Sequence, residues 1–383
     1  MTKAVYIHIP FCTNKCYYCD FNSYVTKNPQ LVWDYLTALN KEMEETVRSC
    51  PPGDIETIFV GGGTPTFLDA KQMAYFLETV ARHFPKRSKD IEFTMEANPG
   101  TTDVEKLSIM REGGVNRISF GVQSFHDELL KKIGRIHDSA QVFRSLANAK
   151  EVGFENISID LIFGLPDQTT ARFQETLDQA FALDLPHFSS YSLKVEENTL
   201  FHTLYEKDQL PLPTEDEEVT MYERLMEQME SHGYHQYEIS NFAQRGFESR
   251  HNMTYWRNEY YYGIGAGAHG YVDGTRHVNA GPLAQYMQLA EKGLPRVEQF
   301  KVTRAEEMED HMIMGLRMMQ GISAPAFELR YGMTLKDAFG SIIDELTEMG
   351  LLAWTNGYLH LTKRGIPLGN EVFARFLGLV DKV

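Results

Sequence analysis

The chain has 383 residues, room for one large domain and a smaller one, and its formal net charge is −16. That charge argues against a nucleic-acid partner, whose phosphates require a basic surface. A hydrophobic share of 43% supports a full core, but no apolar run approaches the ~18 residues of a membrane span, which leaves peripheral contact as the form of membrane association to expect.

Val5 to Ile9 reads as a buried strand, followed by a helix over 30–47. Strands at 57–60, 91–95, 117–122, 157–162 and 188–193 are followed by helices at 71–83, 104–112, 140–151, 171–183 and 217–231. Six alternating strand–helix units imply a parallel sheet, and right-handed crossovers curl such units into most of a (β/α)8 barrel. The expected fold class is therefore α/β, with a partial (β/α)6 barrel over residues 1–240. Over 241–302 the alternation breaks into a connecting segment, aromatic from Arg250 and then glycine-rich through Gly263-Ile264-Gly265-Ala266-Gly267-Ala268-His269. Over 303–383, helices at 305–319, 335–349 and 370–377 surround a hairpin turning at Asn356-Gly357. This predicts a small C-terminal α+β domain of winged-helix-like form. Its methionines, Met308, Met312, Met314, Met318 and Met319, suit core packing or an adaptable partner surface.

Three of the four cysteines gather just after the first strand, in Cys12-Thr-Asn-Lys-Cys16-Tyr-Tyr-Cys19. Zinc usually takes a Cys-x-x-Cys pair with a second pair of Cys or His further on, and no second pair appears. An iron–sulfur cube takes thiolates as its usual ligands. Three ligands leave one iron open to a small molecule, so Cys12, Cys16 and Cys19 point to a reactive [4Fe-4S] cluster. A zinc site of three thiols is the rival. A disulfide is disfavoured: Met1-Thr-Lys leads straight into the strand without a targeting segment, so a reducing cytoplasm is the expected compartment. Cys50, near a helix terminus, reads as a lone thiol.

Other polar and glycine-rich residues fall at the carboxyl ends of the predicted strands, the face on which a barrel binds ligands. They are Gly61-Gly62-Gly63, Glu96, Gln123 and Asp160. Glycines let the backbone approach a ligand closely, and Thr64 adds a hydroxyl. Glu96 and Asp160 lie in or at the end of apolar strands and need partners if buried. An ammonium, ribose hydroxyls or a structural hydrogen bond would each serve. Arg135 can grip a carboxylate with two parallel bonds, or lie on the surface. The Gly263–His269 loop suits either close approach of a ligand or tight packing that closes the barrel.

These features resemble the radical S-adenosylmethionine (SAM) proteins, whose cysteine spacing this is. Tyr6-Ile-His-Ile-Pro-Phe-Cys12, Gly61-Gly-Gly-Thr-Pro-Thr, Ser119-Phe-Gly-Val-Gln-Ser-Phe and Asp160-Leu-Ile-Phe-Gly-Leu-Pro are similar to motifs of the coproporphyrinogen dehydrogenase-like branch. The resemblance spans nearly the whole chain, C-terminal domain included. It implies SAM contacts, with one SAM molecule or two, from Tyr6, Tyr18, Gly62, Gly63, Thr64, Glu96, Gln123, Arg135 and Asp160. Two departures weigh against porphyrinogen decarboxylation. The dehydrogenases carry a fourth cysteine where this chain has Phe21, and a long N-terminal extension before the first strand.

His251-Asn252-Met253-Thr254-Tyr255-Trp256 resembles the His-Asn-x-x-Tyr-Trp motif of the HemW-type haem chaperones, and Cys19-Asp20-Phe21-Asn22-Ser23 is also similar to that group. Histidine is a common axial ligand of haem iron. Tyr255 and Trp256 offer faces to a flat macrocycle, and Arg250 or Arg257 a charge to its propionates. A histidine beside aromatics is also simply packed. The resemblance implies haem at His251 and its delivery to an acceptor haemoprotein, with an electron donor serving the cluster. Three functions stay open on the sequence. One is a haem chaperone on a radical SAM scaffold. Another is a radical SAM enzyme resembling oxygen-independent coproporphyrinogen III dehydrogenase. The third is a binding module with a structural metal.

Overall fold

The computed structural model describes residues 1–379, so the last four residues of the expected 303–383 domain lie outside the described residues. The chain divides into two compact units. One comprises residues 1–234 and 260–300, the other 235–259 and the chain from 301 onward. The expected connecting segment 241–302 is thus shared between them.

In the first unit, β1 (Ala4–Ile9), β2 (Ile55–Gly62), β3 (Arg87–Ala97), β4 (Arg117–Gln123), β5 (Asn156–Phe163) and β6 (His187–Ser192) pair in parallel in that order. This is the expected partial (β/α)6 barrel. Strands covered on both faces carry continuous apolar runs, and every residue of β4 is buried. The intervening helices start where short polar side chains cap them. Asn28, Asp69, Asp103, Asp138 and Thr169 each accept from a backbone N–H of the following first turn.

A seventh parallel strand, β7 (Tyr261–Ile264), lies on the other side of β1. β8 (His269–Val272) and β9 (Thr275–Asn279) follow as an antiparallel hairpin, with β10 (Arg296–Lys301) beyond. The sheet is therefore mixed. The hairpin turns at Asp273-Gly274, both with positive φ (50° and 70°), the backbone that an Asp-Gly pair favours.

The second unit contains a short hairpin of His235–Glu238 and Asn241–Ala243 and the helix Arg250–Trp256. Its C-terminal part runs helix Arg304–Gly315, strand Ile322–Ser323, helices Ala324–Tyr331 and Leu335–Glu348, then strands Leu352–Thr355 and Tyr358–Leu361. The last strand pairs with both others, which is winged-helix topology. The wing turns at Asn356-Gly357 with φ of 50° and 81°, as that dipeptide predicts. Met308 and Met312 pack in the core with Leu316, Phe327, Phe339 and Leu359; Met314, Met318 and Met319 are half-buried. Among the described residues, no helix is long and apolar enough to cross a membrane.

Candidate functional site

The cysteine loop leaves the carboxyl end of β1. Its stems are fixed because Phe11–Cys12 pairs in parallel with Tyr24–Val25. Its flank is fixed by three bonds: Asn14 Nδ2 to Gly134 O (2.8 Å), Tyr17 N to Ile133 O (3.1 Å) and Phe201 N to Tyr17 O (3.0 Å). Cys12 is buried; Cys16 and Cys19 are half-buried. Burial pushes the Cys12 thiol up, with Cys16 adding to the rise. Burial likewise raises Cys19 to about 11, with Cys16 and Cys12 adding to it. Thiols that oppose one another's ionisation become favourable thiolates when a cation lies among them. The donor set thus fits a thiolate-held cluster. Among the described residues no three of His, Cys, Asp and Glu close into a metal-binding group. Phe21, at the place of the absent fourth cysteine, is 63% exposed.

Beside the loop, a chain of polar contacts links two of the cysteines. Cys12 Sγ lies 3.5 Å from Thr64 Oγ1. Thr64 Oγ1 accepts from Asn98 Nδ2 at 2.8 Å, and Asn98 Oδ1 accepts from Arg135 Nη2 at 2.7 Å. Arg135 Nη1 reaches Cys16 Sγ at 3.4 Å, and its Nη2 also donates to Gly121 O. Arg135 is thus drawn into the site. Tyr18 has its hydroxyl raised by burial, with Arg135 opposing and Cys16 adding. Gly63 is required by closeness: a Cβ there would lie 2.7 Å from Phe11 O and 3.0 Å from Cys12 Sγ.

Deeper along the strands are two half-buried carboxyls. Glu96 accepts from Gly62 N at 3.2 Å, and burial, then the charge of Asp160, pushes it up to about 8. Asp160 accepts from Ser119 at 3.0 Å and is also raised, again chiefly by burial. Two poorly solvated carboxyls near enough for one to raise the other suit a cationic or hydroxyl-rich ligand. Gly62 has φ 109°, and a Cβ there would collide with the His8 ring at 2.5 Å. That ring is fully engaged. Its Nε2 lies 2.8 Å from Asn22 O, which only accepts, so Nε2 carries the proton. Nδ1 is then the acceptor for the Tyr6 hydroxyl at 2.9 Å, and burial keeps His8 neutral by lowering its pKa. Gln123 ends β4 in the left-handed region (φ 66°), where the pairing with β5 slips by one residue. A non-glycine residue held there is a strained position of the kind that collects at binding sites.

The structure thus places Tyr6, Tyr18, Gly62, Gly63, Thr64, Glu96, Gln123, Arg135 and Asp160 in one unit with the three cysteines, on its parallel strands and in the loops that follow them. The Gly263–His269 loop uses its backbone within the protein. The N–H groups of Gly265, Ala266, Gly267 and Ala268 donate to Glu42, Tyr35, Ala280 and Gly265 respectively, which favours its packing role. Sequence reasoning missed Asn22, Asn98 and His8 as site-builders. His8 and Asn22 stand inside quoted motifs and Asn98 two residues after Glu96, but a polar side chain does not declare its partner.

His251 belongs to the second unit. Its helix is capped by Ser249, which accepts from Asn252 N. The imidazole is fully buried, with Nε2 2.8 Å from the Tyr255 hydroxyl and the two rings edge to face at 5.0 Å. Trp256 lies under the Arg317 guanidinium at 4.5 Å. Arg250 and Arg257 are exposed.

Residues 6–180 match the radical SAM superfamily, and residues 302–368 match the HemN C-terminal domain. The chain is 49% identical to the heme chaperone HemW of Bacillus subtilis (strain 168), covering 98% of this chain and 99% of that protein. It is 35% identical to the heme chaperone HemW of Escherichia coli (strain K12), covering 98% of each. The solved structure of coproporphyrinogen III oxidase (HemN) from Escherichia coli, described as a radical SAM enzyme, superposes with a TM-score of 0.85 at 24% identity. That match covers 97% of this chain and 89% of that one, and demonstrates a shared fold. With such identity running through both units, the chain belongs to the HemW family of radical SAM proteins.

Proposed function

We propose that this protein is a cytoplasmic haem chaperone. It holds a [4Fe-4S] cluster on Cys12, Cys16 and Cys19, and binds SAM through Tyr6, Tyr18, Gly62, Gly63, Thr64, Glu96, Gln123, Arg135 and Asp160. It takes haem at His251 and hands it to an acceptor haemoprotein, with an electron donor reducing the cluster. The observation that carries the reading is the 49% identity, over 98% of the chain, to a protein named heme chaperone HemW. The chemistry of the first unit supports it: crowded thiols suit iron, and the carboxyls Glu96 and Asp160 suit a ligand bearing ribose hydroxyls. When bound, the cluster would supply an open iron for the amine and carboxylate of SAM. In the second unit, His251 would hold the haem iron through Nε2 once the buried imidazole left the Tyr255 hydroxyl and became accessible.

The test is anaerobic haem titration of the cluster-reconstituted protein, followed by Soret absorption, beside His251→Ala. Stoichiometric binding that is lost in the variant supports the proposal. Equal binding by the variant removes His251 from the site, and no binding by the wild type removes the chaperone reading. Coproporphyrinogen III incubated with the reduced protein and SAM is expected to give no vinyl product; its appearance would return the activity to the dehydrogenase class.

A further inference from the structure

We infer that Asn98 is a positioning residue that sets the spacing between Thr64 and Arg135, the two groups that receive the amino-carboxylate end of SAM. The inference rests on the SAM reading above and extends it to a residue that makes no expected contact with SAM itself.

A guanidinium only donates, so the end of the Asn98 amide facing Arg135 Nη2 at 2.7 Å is its oxygen. The amide nitrogen is then the end facing Thr64 Oγ1, and it donates at 2.8 Å. This fixes the threonine as acceptor toward Asn98 and turns its own proton elsewhere. Cys12 Sγ, 3.5 Å away, is the neighbour in reach. On the other side, Arg135 is held by Asn98 and Gly121 O through one nitrogen, while the other points at Cys16 Sγ. One side chain thereby sets a hydroxyl beside the first cysteine and a cation beside the second. An α-amino acid ligand at an open iron between them needs a polar group for its amine and a cation for its carboxylate, at a fixed separation.

Asn98 is itself pinned. Its carbonyl accepts from Thr101 N at 3.1 Å and from Thr101 Oγ1 at 2.6 Å. Thr101 Oγ1 is in turn 2.7 Å from Thr66 Oγ1, two residues beyond Thr64, and Pro99 follows in the chain. The amide therefore projects from a rigid turn, as a spacer should. Without it, Arg135 keeps Gly121 and Cys16, and Thr64 keeps its backbone bond to Phe11 O, but the side-chain bridge that couples the two is lost.

The test uses full-length protein reconstituted anaerobically with iron and sulfide, wild type and Asn98→Ala, with SAM as the probe. Three quantities are read: iron and sulfide content with the thermal midpoint, the dissociation constant for SAM by equilibrium dialysis, and the SAM-induced change in the spin-resonance spectrum of the reduced cluster. The expected result is a full cluster and a near-native midpoint, with SAM binding weakened about tenfold, the scale of outer-sphere losses around a metal, and a diminished spectral change. SAM binding within twofold of wild type, with the wild-type spectrum, overturns the inference. So does a loss of affinity matched by an equal loss of cluster, which would make Asn98 merely structural. If wild type itself shows no SAM-dependent change, the SAM reading has failed at its root. Should Asn98→Ala not fold, Asn98→Ser carries the same test, since serine keeps a hydroxyl in the turn but is too short to span both partners.

Discussion

Asn22, three residues beyond the last cysteine of the loop, donates through Nδ2 to the carbonyl of Ala266 at 2.9 Å, across 244 residues of chain. The same nitrogen reaches Gly281 O at 3.0 Å, and the backbone carbonyl of Asn22 receives His8. One side chain thus fastens the cysteine loop to the segment that follows β7. Asn22→Ala removes the Asn22 bond to the buried Ala266 carbonyl and leaves Gly281 O to the Tyr24 hydroxyl at 3.1 Å, and is expected to destabilise the protein by about 1–3 kcal/mol, with faster loss of iron to a chelator. Gly267→Ala should cost at least as much, because φ is 74° and the added Cβ would sit 2.8 Å from Asn22 Nδ2. Denaturant unfolding and chelator kinetics on both variants check this; wild-type chelation rates in both would refute it.

Glu96 gives the ligand-free protein a pH signature. The unfolded carboxyl titrates near 4.5 and the folded one near 8, raised first by burial and then by Asp160. The folded state therefore keeps a proton that the unfolded chain releases. The stability tied to that proton is fully present below about 4.5 and is lost as pH rises through about 8. Asp160 shifts in the same direction. Thermal midpoints of wild type are expected to fall between pH 5 and 8.5, and Glu96→Gln should flatten that fall. A variant as pH-sensitive as wild type would clear Glu96 of the role.

The Tyr255 hydroxyl competes for His251 Nε2. Tyr255→Phe removes this bond while keeping the edge-to-face ring contact. One net hydrogen bond is worth about 1 kcal/mol, so haem should bind about fivefold more tightly. Haem titration measures this directly, and weaker binding would make the tyrosine a partner of haem and not a competitor.

Gly63→Ala must move backbone, since its Cβ would press on Phe11 O and Cys12 Sγ together. The expected outcome is a folded protein with markedly reduced iron and sulfide after reconstitution. Full loading would show that the strand carrying Cys12 tolerates the shift.

The first unit was largely readable because its residues carry period and punctuation. All six barrel strands appear within a few residues of their predicted ends, and each of the predicted helices between and after them starts at a capping side chain. Glu96 and Asp160 could be nominated because an ionisable group among apolar neighbours has a cost that demands a ligand or partner. What was not readable is tertiary. Tyr260-Tyr261-Tyr262 carries no alternation, and nothing local says that it pairs beside β1. The helix Arg250–Trp256, only seven residues long, is too short to display a helical repeat. Asn22 and Asn98 look like any turn asparagine until their partners, far away in sequence, are in place. Gln123 hides in an ordinary strand motif, and its left-handed backbone becomes visible only with the slipped register.

The pairing of β1 with β7 has a consequence for synthesis. β1 and the cysteine loop leave the ribosome early, but the strand that covers the far side of β1, and the Ala266 and Gly281 carbonyls that tether Asn22, emerge some 250 residues later. At 5–20 residues per second that is a delay of about 12–50 seconds, during which the thiols hang from a half-paired strand. For the proposed cluster, loading would have a natural window during translation, before the later strands fasten the loop down.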